Sequence, residues 1–300
     1  MDFPKETDSR FLQDKRMNRR EFLYCCGLGI TVTTFFKAET MPKRLLGRTG
    51  VAVSLLGLGT SHFHRLNARE CTVLVHAALD AGVNYVDTAR VYGNGQTEIL
   101  LGNTLRSRKR DGIILTSKTR SRSADEALHD LHTSLRSLRT DYLDIWMIHD
   151  FRTESDWRAM ESPRGVLAAA LRARDQGWIR WIGLTAHRNA PLVARALETF
   201  PCDIVMIPVT PVIPSESAWL DIIIPSARAS KPGIVGMKLF QDSLRAQSEP
   251  AYTAAAIQSA LARPLSTVVM EWETPRELIN SIGLASRAPS LETDSLALTA

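Results

Sequence analysis

The chain has 300 residues, 44% of them hydrophobic and 23% charged, enough apolar material for a sizeable core and too much for a disordered chain. Its formal net charge of +5 is modest, with no Lys/Arg run and no aromatic-interleaved basic stripe, which argues against a nucleic-acid partner. Four cysteines are too few for a disulfide framework, and Cys71 and Cys202, far apart and without metal-ligand spacing, read as buried structural thiols.

In chain order, the first feature is an apolar stretch from Phe22 to Phe36, preceded directly by Asn18-Arg19-Arg20-Glu21. It is shorter than the roughly 20 residues needed to cross a bilayer as a helix, so no stable membrane span is expected. The paired arginines before it resemble a twin-arginine export signal. That resemblance implies the twin-arginine export machinery as a partner, a start at Met1 or Met17, cleavage near Ala38 and an exported, periplasmic location. Residues 1–40 are set apart as a targeting segment.

Short, continuously apolar runs follow, as expected of parallel strands buried on both faces. They are Val53–Leu58, Asn84–Asp87, Ile113–Thr116, Leu143–Ile148, Arg180–Leu184, Asp203–Ile207, Gly233–Met237 and Ser266–Met270. Between them lie helical patterns at Ala68–Gly82, Thr97–Arg108, Ala124–Arg139, Val166–Gln176, Leu192–Thr199, Glu216–Ser230, Ala251–Ala262 and Thr274–Ile282. Thr274-Pro275 reads as an N-cap followed by a first-turn proline. Alternation of this kind predicts a closed (β/α)8 TIM barrel as a single domain over residues 41–286. A doubly wound open sheet fits less well, because Gly57-Leu58-Gly59 lacks the third glycine and the immediate helix of a dinucleotide fingerprint. The tail, residues 287–300, is polar and rich in small residues, and is expected to be poorly ordered.

In such a barrel the reactive groups sit where strands end. The second predicted strand ends in Asp87 with Tyr92-Gly93 in its loop, the third runs into Lys118, and the fourth into His149-Asp150. These residue types suit carbonyl reduction, in which the oxygen gains a proton as the carbon gains a hydride. A tyrosine can supply the proton, but its unperturbed pKa near 10 makes cycling slow at neutral pH. A lysine beside it would lower that value, an aspartate would hold the lysine, and a histidine would orient the carbonyl.

Asn84-Tyr85-Val86-Asp87-Thr88-Ala89-Arg90-Val91-Tyr92-Gly93, then Thr116-Ser117-Lys118, then Ile148-His149, with Leu46-Gly47-Arg48-Thr49-Gly50 ahead of them, resemble the aldo-keto reductase pattern in order and spacing. The resemblance covers about residues 44–282. It implies Tyr92 as acid/base, Lys118 and Asp87 as its tuners, His149 as the group orienting a small carbonyl substrate, and NADP(H) or NAD(H) as cofactor. It also implies no metal. Thr185, within Gly183-Leu184-Thr185-Ala186-His187, is the implied contact to the carboxamide. Ala186 replaces an amide side chain, and the Thr-Ala-His variant is similar to a bacterial subgroup that carries an iron–sulfur domain, for which no cysteine cluster is present here.

Further cofactor contacts are expected at Gly59 and Thr60 after the first strand, at Met206, at Met237-Lys238, and at Thr274, Glu277 and Asn280 on the last helix. The segment Val269-Met270-Glu271-Trp272-Glu273-Thr274 departs from the NADP pattern, since Glu273 would repel a 2′-phosphate but accept from a free ribose hydroxyl. Lys238 and Arg276 are candidate compensating cations, so both cofactors stay open. His62, His64 and His187 lack a third ligand in register for a metal and read as lining or solvated side chains. A second reading, motivated by the altered last strand, is a non-catalytic barrel that binds nucleotide or senses redox state.

Overall fold

A computed structural model describes residues 41–210, 219–240 and 250–287. Residues 1–40, with the twin-arginine motif, and 288–300, nearly all of the expected tail, lie outside the described residues. So do 211–218 and 241–249, and with them the start expected for the sixth helix and most of the loop after the seventh strand.

The described residues open on a hairpin of β1 (Lys43–Leu45) and β2 (Ala52–Ser54), paired antiparallel. Eight parallel strands then close into a barrel: β3 (Leu56–Gly59), β4 (Tyr85–Asp87), β5 (Ile114–Thr119), β6 (Leu143–Ile148), β7 (Ile179–Thr185), β8 (Ile204–Pro208), β9 (Gly233–Met237) and β10 (Thr267–Met270). Neighbours follow sequence order, and β10 returns to pair with β3. The helices are α1 (Ala68–Asp80), α2 (Gln96–Leu105), α3 (Ala124–Leu138), α4 (Glu154–Glu161), α5 (Val166–Asp175), α6 (Ala190–Thr199), α7 (Trp219–Ser230), α8 (Pro250–Leu261) and α9 (Pro275–Ala285).

The barrel interior is filled, not hollow. Tyr85, Ile114, Ile145, Met147, Ile204, Met206, Val235 and Met237 form one buried cluster with Leu46 and Val53 of the hairpin. Leu46 N–H donates to Val51 O across the hairpin turn, and Arg48 N–H to Lys231 O just ahead of β9. The hairpin therefore closes the N-terminal end, and polar side chains are left to the C-terminal mouth, the usual place for chemistry in this fold.

Two expectations need correction. Val53–Leu58 is not one strand: Leu55 N–H donates to Pro42 O, and Ser54 Oγ donates to Leu56 O at 2.7 Å, which divides the apolar run between the hairpin and the barrel. Residues 151–164, for which the sequence pattern predicts no helix, contain α4. Its N-terminus is a capping box in which Thr153 and Asp156 bond reciprocally, while Trp157 and Met160 are buried. Two apolar residues three apart are too little periodicity to show such a short helix in the sequence. The remaining helices agree with expectation to within a few residues, and Thr274 caps α9 with Pro275 in its first turn. Cys71 and Cys202 are buried free thiols, and burial pushes them up, to about 11 and about 12.

Candidate active site

The barrel register places the four expected residues at one mouth. Asp87 ends β4 opposite Thr116, and Lys118 lies in β5 opposite Met147. His149 follows β6, with its N–H donating to Thr119 O. Beyond the end of β4 the chain stays zipped to β5, through Thr88 N–H to Thr116 O and Arg90 N–H to Lys118 O. Tyr92 is delivered directly over Lys118 by that pairing.

Lys118 Nζ donates to Asp87 Oδ2 at 2.6 Å, to Thr88 O at 2.8 Å and to Tyr92 Oη at 3.3 Å. Lys118 is 1% exposed and Asp87 3%, so this is a buried ion pair whose ammonium has all three donors used. His149 faces the tyrosine edge-on, with ring centroids 6.0 Å apart and planes at 84°. Asp87 Oδ1 and His149 Nδ1 are buried with no hydrogen-bond partner among the described residues. Such atoms want a partner, and a bound carbonyl with its cofactor would bring polar groups to this point.

The protonation states are set by burial and by Lys118. Burial pushes the Tyr92 hydroxyl above its ordinary value, and the nearby ammonium pulls against that without overcoming it. Sequence reasoning expected the opposite balance. The lysine acts as foreseen, but the tyrosine is also sealed from water, and desolvation of the phenolate outweighs the attraction. Burial alone would lower Lys118, yet the Asp87 carboxylate and Tyr92 outweigh it and hold the ammonium above the usual lysine range. Burial, then Lys118, then Arg120 depress His149 to about 2, so it is a neutral imidazole at any working pH.

The tyrosine loop has its own clamp. Gly93, Asn94 and Gly95 have φ of 52°, 52° and 89°, and a Cβ on Gly95 would lie 1.8 Å from Arg90 Nη1. Glycine at 95 lets Arg90 fold over the loop and reach Glu98 Oε2 at 3.4 Å. Glu98 is fully buried in α2 and its other oxygen accepts from Ser117 Oγ at 2.7 Å, next to Lys118. Sequence reasoning missed Arg90 and Glu98. A glutamate in a helix reads as solvated unless something marks its face as buried, and here the mark was the apolar Leu101 one turn on.

The expected cofactor residues fall into three groups. Gly59 and Thr60 are packed into the wall: a Cβ on Gly59 would lie 2.8 Å from Val269 Cγ1, and Thr60 Oγ1 donates to Asp87 O at 2.9 Å. Gly59 therefore serves the approach of β3 to β10 as well as any ligand. Thr185 is buried and accepts Asp150 N–H at 2.9 Å, while Met206 and Met237 belong to the barrel core. Lys238 is exposed at the end of β9 with φ +53°. On α9, Thr274 accepts Glu277 N–H at 3.3 Å, and Glu277 Oε2 accepts Glu273 N–H at 3.1 Å, so both work as helix caps. Asn280 is exposed on the same helix. Glu271 accepts from Ser61 Oγ, tying β10 to the loop after β3, and Glu273 is left exposed at the rim. Among the described residues no group of three or more His, Cys, Asp or Glu is placed to hold a metal ion.

Comparison with known proteins bears on this geometry. Residues 55–215 match the model of the Aldo/keto reductase family, a span containing Asp87, Tyr92, Lys118 and His149. A 6-dehydroglucose reductase of Novosphingobium aromaticivorans is 37% identical over 124 residues, 35% of this chain and 40% of that protein. A D-threo-aldose 1-dehydrogenase of Pseudomonas is 26% identical over 235 residues, 67% of this chain and 70% of that one. A solved structure described as an aldo-keto reductase from Pseudomonas aeruginosa superposes with a TM-score of 0.70 at 26% identity, covering 83% of this chain and 96% of that one. The match to the first of these relatives spans about two fifths of its length.

Proposed function

From the premise that the chain belongs to the aldo/keto reductase family, with an oxidoreductase chemistry, we propose that it reduces aldehydes or ketones to alcohols with NADPH or NADH, using Tyr92 as the proton donor. The observation that carries this is the buried chain from Asp87 through Lys118 to Tyr92 Oη, faced by a neutral His149.

Asp87 Oδ1 and His149 Nδ1, unpartnered among the described residues, fit a bound nicotinamide and carbonyl. When bound, the nicotinamide supplies the hydride. Candidate residues for holding the dinucleotide are Thr185, Lys238, Thr274 and Asn280, with Met206 and Met237 as an apolar floor. Glu273 at the rim favours a free ribose over a 2′-phosphate. The chain's own residues then handle the oxygen. His149, neutral, donates a hydrogen bond and orients it. Tyr92 Oη gives up its proton as negative charge develops there, and the Lys118 ammonium stabilises the tyrosinate until a proton returns. Asp87 keeps Lys118 charged and in place.

The names of the two sugar-carbonyl relatives make small polyhydroxy carbonyls the first substrates to try. Fluorescence titration with NADPH and NADH in parallel, followed by a carbonyl panel, tests the reading. Tight binding of one nucleotide and turnover of at least one carbonyl support it. Tight binding with no turnover across the panel favours the non-catalytic barrel, and no binding at millimolar nucleotide removes the reductase and puts the non-catalytic, redox-sensing reading in the lead. Export by the twin-arginine route is part of the proposal and rests on residues 18–36. An Arg19→Lys/Arg20→Lys chain that is still exported would remove it.

A further inference from the structure

Arg120 stands two residues beyond Lys118, just past the end of β5, and its charge reaches His149 and His187 inside the mouth. Across from it, His149 is followed by Asp150, whose φ of +58° is unusual for a residue with a side chain. The structure holds Asp150 there firmly: its N–H donates to Thr185 Oγ1 at 2.9 Å, and Arg122 Nη2 donates to the carbonyls of His149 and Asp150 at 2.9 and 3.2 Å. The Asp150 carboxylate, 13% exposed, stands between Arg120 at 3.9 Å and Arg152 at 3.5 Å.

Both distances suit an ion pair but not the short, charge-assisted hydrogen bond of a locked guanidinium. Among the described residues neither Arg120 nor Arg152 has a side-chain hydrogen bond, and their side chains are 60% and 52% exposed. The arginines that brace this barrel look different. Arg110 and Arg122 donate to Asp144 and Asp156 at 2.5 and 2.7 Å and are 23% and 26% exposed. One carboxylate also balances only one of the two rim charges. The surplus is felt inside the mouth: burial, then Lys238, with Lys118 and Arg120 adding, lowers His187 to about 4 against the pull of Asp150.

We propose that Arg120 and Arg152, spaced by Asp150, form an anion subsite, and that the carbonyl substrate carries a carboxylate or phosphate a few bonds from its reacting carbon. The inference rests on the reductase reading above and adds the charge class of its substrate. Guanidinium forks recognise either anion in a bidentate way. Grouped around Asp150, directly after His149, they can do so while the carbonyl oxygen lies between Tyr92 and His149.

The test compares kcat/KM, with the nucleotide the protein prefers, for two matched pairs: 4-carboxybenzaldehyde with methyl 4-formylbenzoate, and glyceraldehyde 3-phosphate with glyceraldehyde. The expected result is a preference of about tenfold or more for the charged member of at least one pair, shrinking in about 0.5 M salt. A preference in the first pair assigns a carboxylate, and in the second a phosphate. Arg120→Gln and, separately, Arg152→Gln are expected to collapse the charged-to-neutral ratio towards one. Arg108→Gln, which removes an ion pair with Asp80 at the outer end of α2, is expected to leave the ratio as it was. Equal turnover of charged and neutral members, or a ratio unmoved by both rim substitutions, overturns the subsite while leaving the reductase intact. Turnover of no carbonyl at all overturns the reductase reading and this inference with it.

Discussion

Between β4 and β6 the mouth of the barrel is held by side chains bonded to one another, whereas between β9 and β3 it is held by backbone, helix caps and packing, with the Ser61 to Glu271 bond as a side-chain tie. On the first side Asp87, Lys118 and Tyr92 form one hydrogen-bonded group and Ser117, Glu98 and Arg90 a second, most of both buried, with Arg90 N–H donating to Lys118 O between them. On the second side Lys238 and Glu273 are exposed, and Thr274 and Glu277 are occupied in capping α9. The difference teaches where change can be tolerated. A buried network loses stability and chemistry together when one member goes, while an exposed charge adjusts affinity and leaves the fold alone.

The largest effect should come from breaking the network at its centre. Lys118→Met strands the buried Asp87 carboxylate and is expected to destabilise the fold by about 3–5 kcal/mol, read as a lower urea midpoint. Reduction should also fall by about 10²-fold or more. A variant as stable as the parent would mean that the pair is not load shared between the strands as described.

One step out, Glu98→Gln keeps the shape of the side chain but removes the charge that Arg90 and Ser117 address. A loss of about 1.5–3 kcal/mol is expected, with kcat lowered more than KM because the tyrosine loop loses its clamp. Normal stability with normal kcat would make Glu98 incidental to the site.

On the other side of the mouth the effects should be small. Glu273→Gln is expected to tighten NADPH by roughly threefold relative to NADH, with no change in melting temperature. A large stability change there would contradict the contrast between the halves. The smallest effect is an absence of curvature. His149 is depressed to about 2 and the Tyr92 hydroxyl is raised. The neutral imidazole therefore persists above that low value, and the protonated phenol persists below its raised one. Reduction should be level through neutral pH and fall only above about pH 10, as measured by kcat/KM across buffers. An acidic limb near the ordinary histidine value would show that His149 titrates.

The two sides also differed in how well they could be read from the sequence. Asp87, Tyr92, Lys118 and His149 were legible because each stands at or just beyond the end of an apolar run, and strand ends are where a barrel points polar groups into its mouth. The eight barrel strands were legible for the same reason, their runs being continuous and short. Arg90 and Glu98 were not, because their roles depend on a loop with left-handed φ at Gly93, Asn94 and Gly95, a geometry that no periodicity records. The break between β2 and β3 was hidden because hairpin and barrel strand are both apolar. On the cofactor side, Gly59 and Thr60 read as ligand contacts, yet they also fit the wall between β3 and β10. Small residues signal close approach without saying what approaches.

The most direct measurement is a single-turnover reduction by Tyr92→Phe loaded with the nucleotide that the unaltered protein prefers. The account predicts that this chain still binds the nucleotide and reduces the carbonyl about 10²–10⁴-fold more slowly, since only the proton at Oη has been removed. Reduction at the full rate would contradict it, and would mean that the proton comes from another group at the mouth.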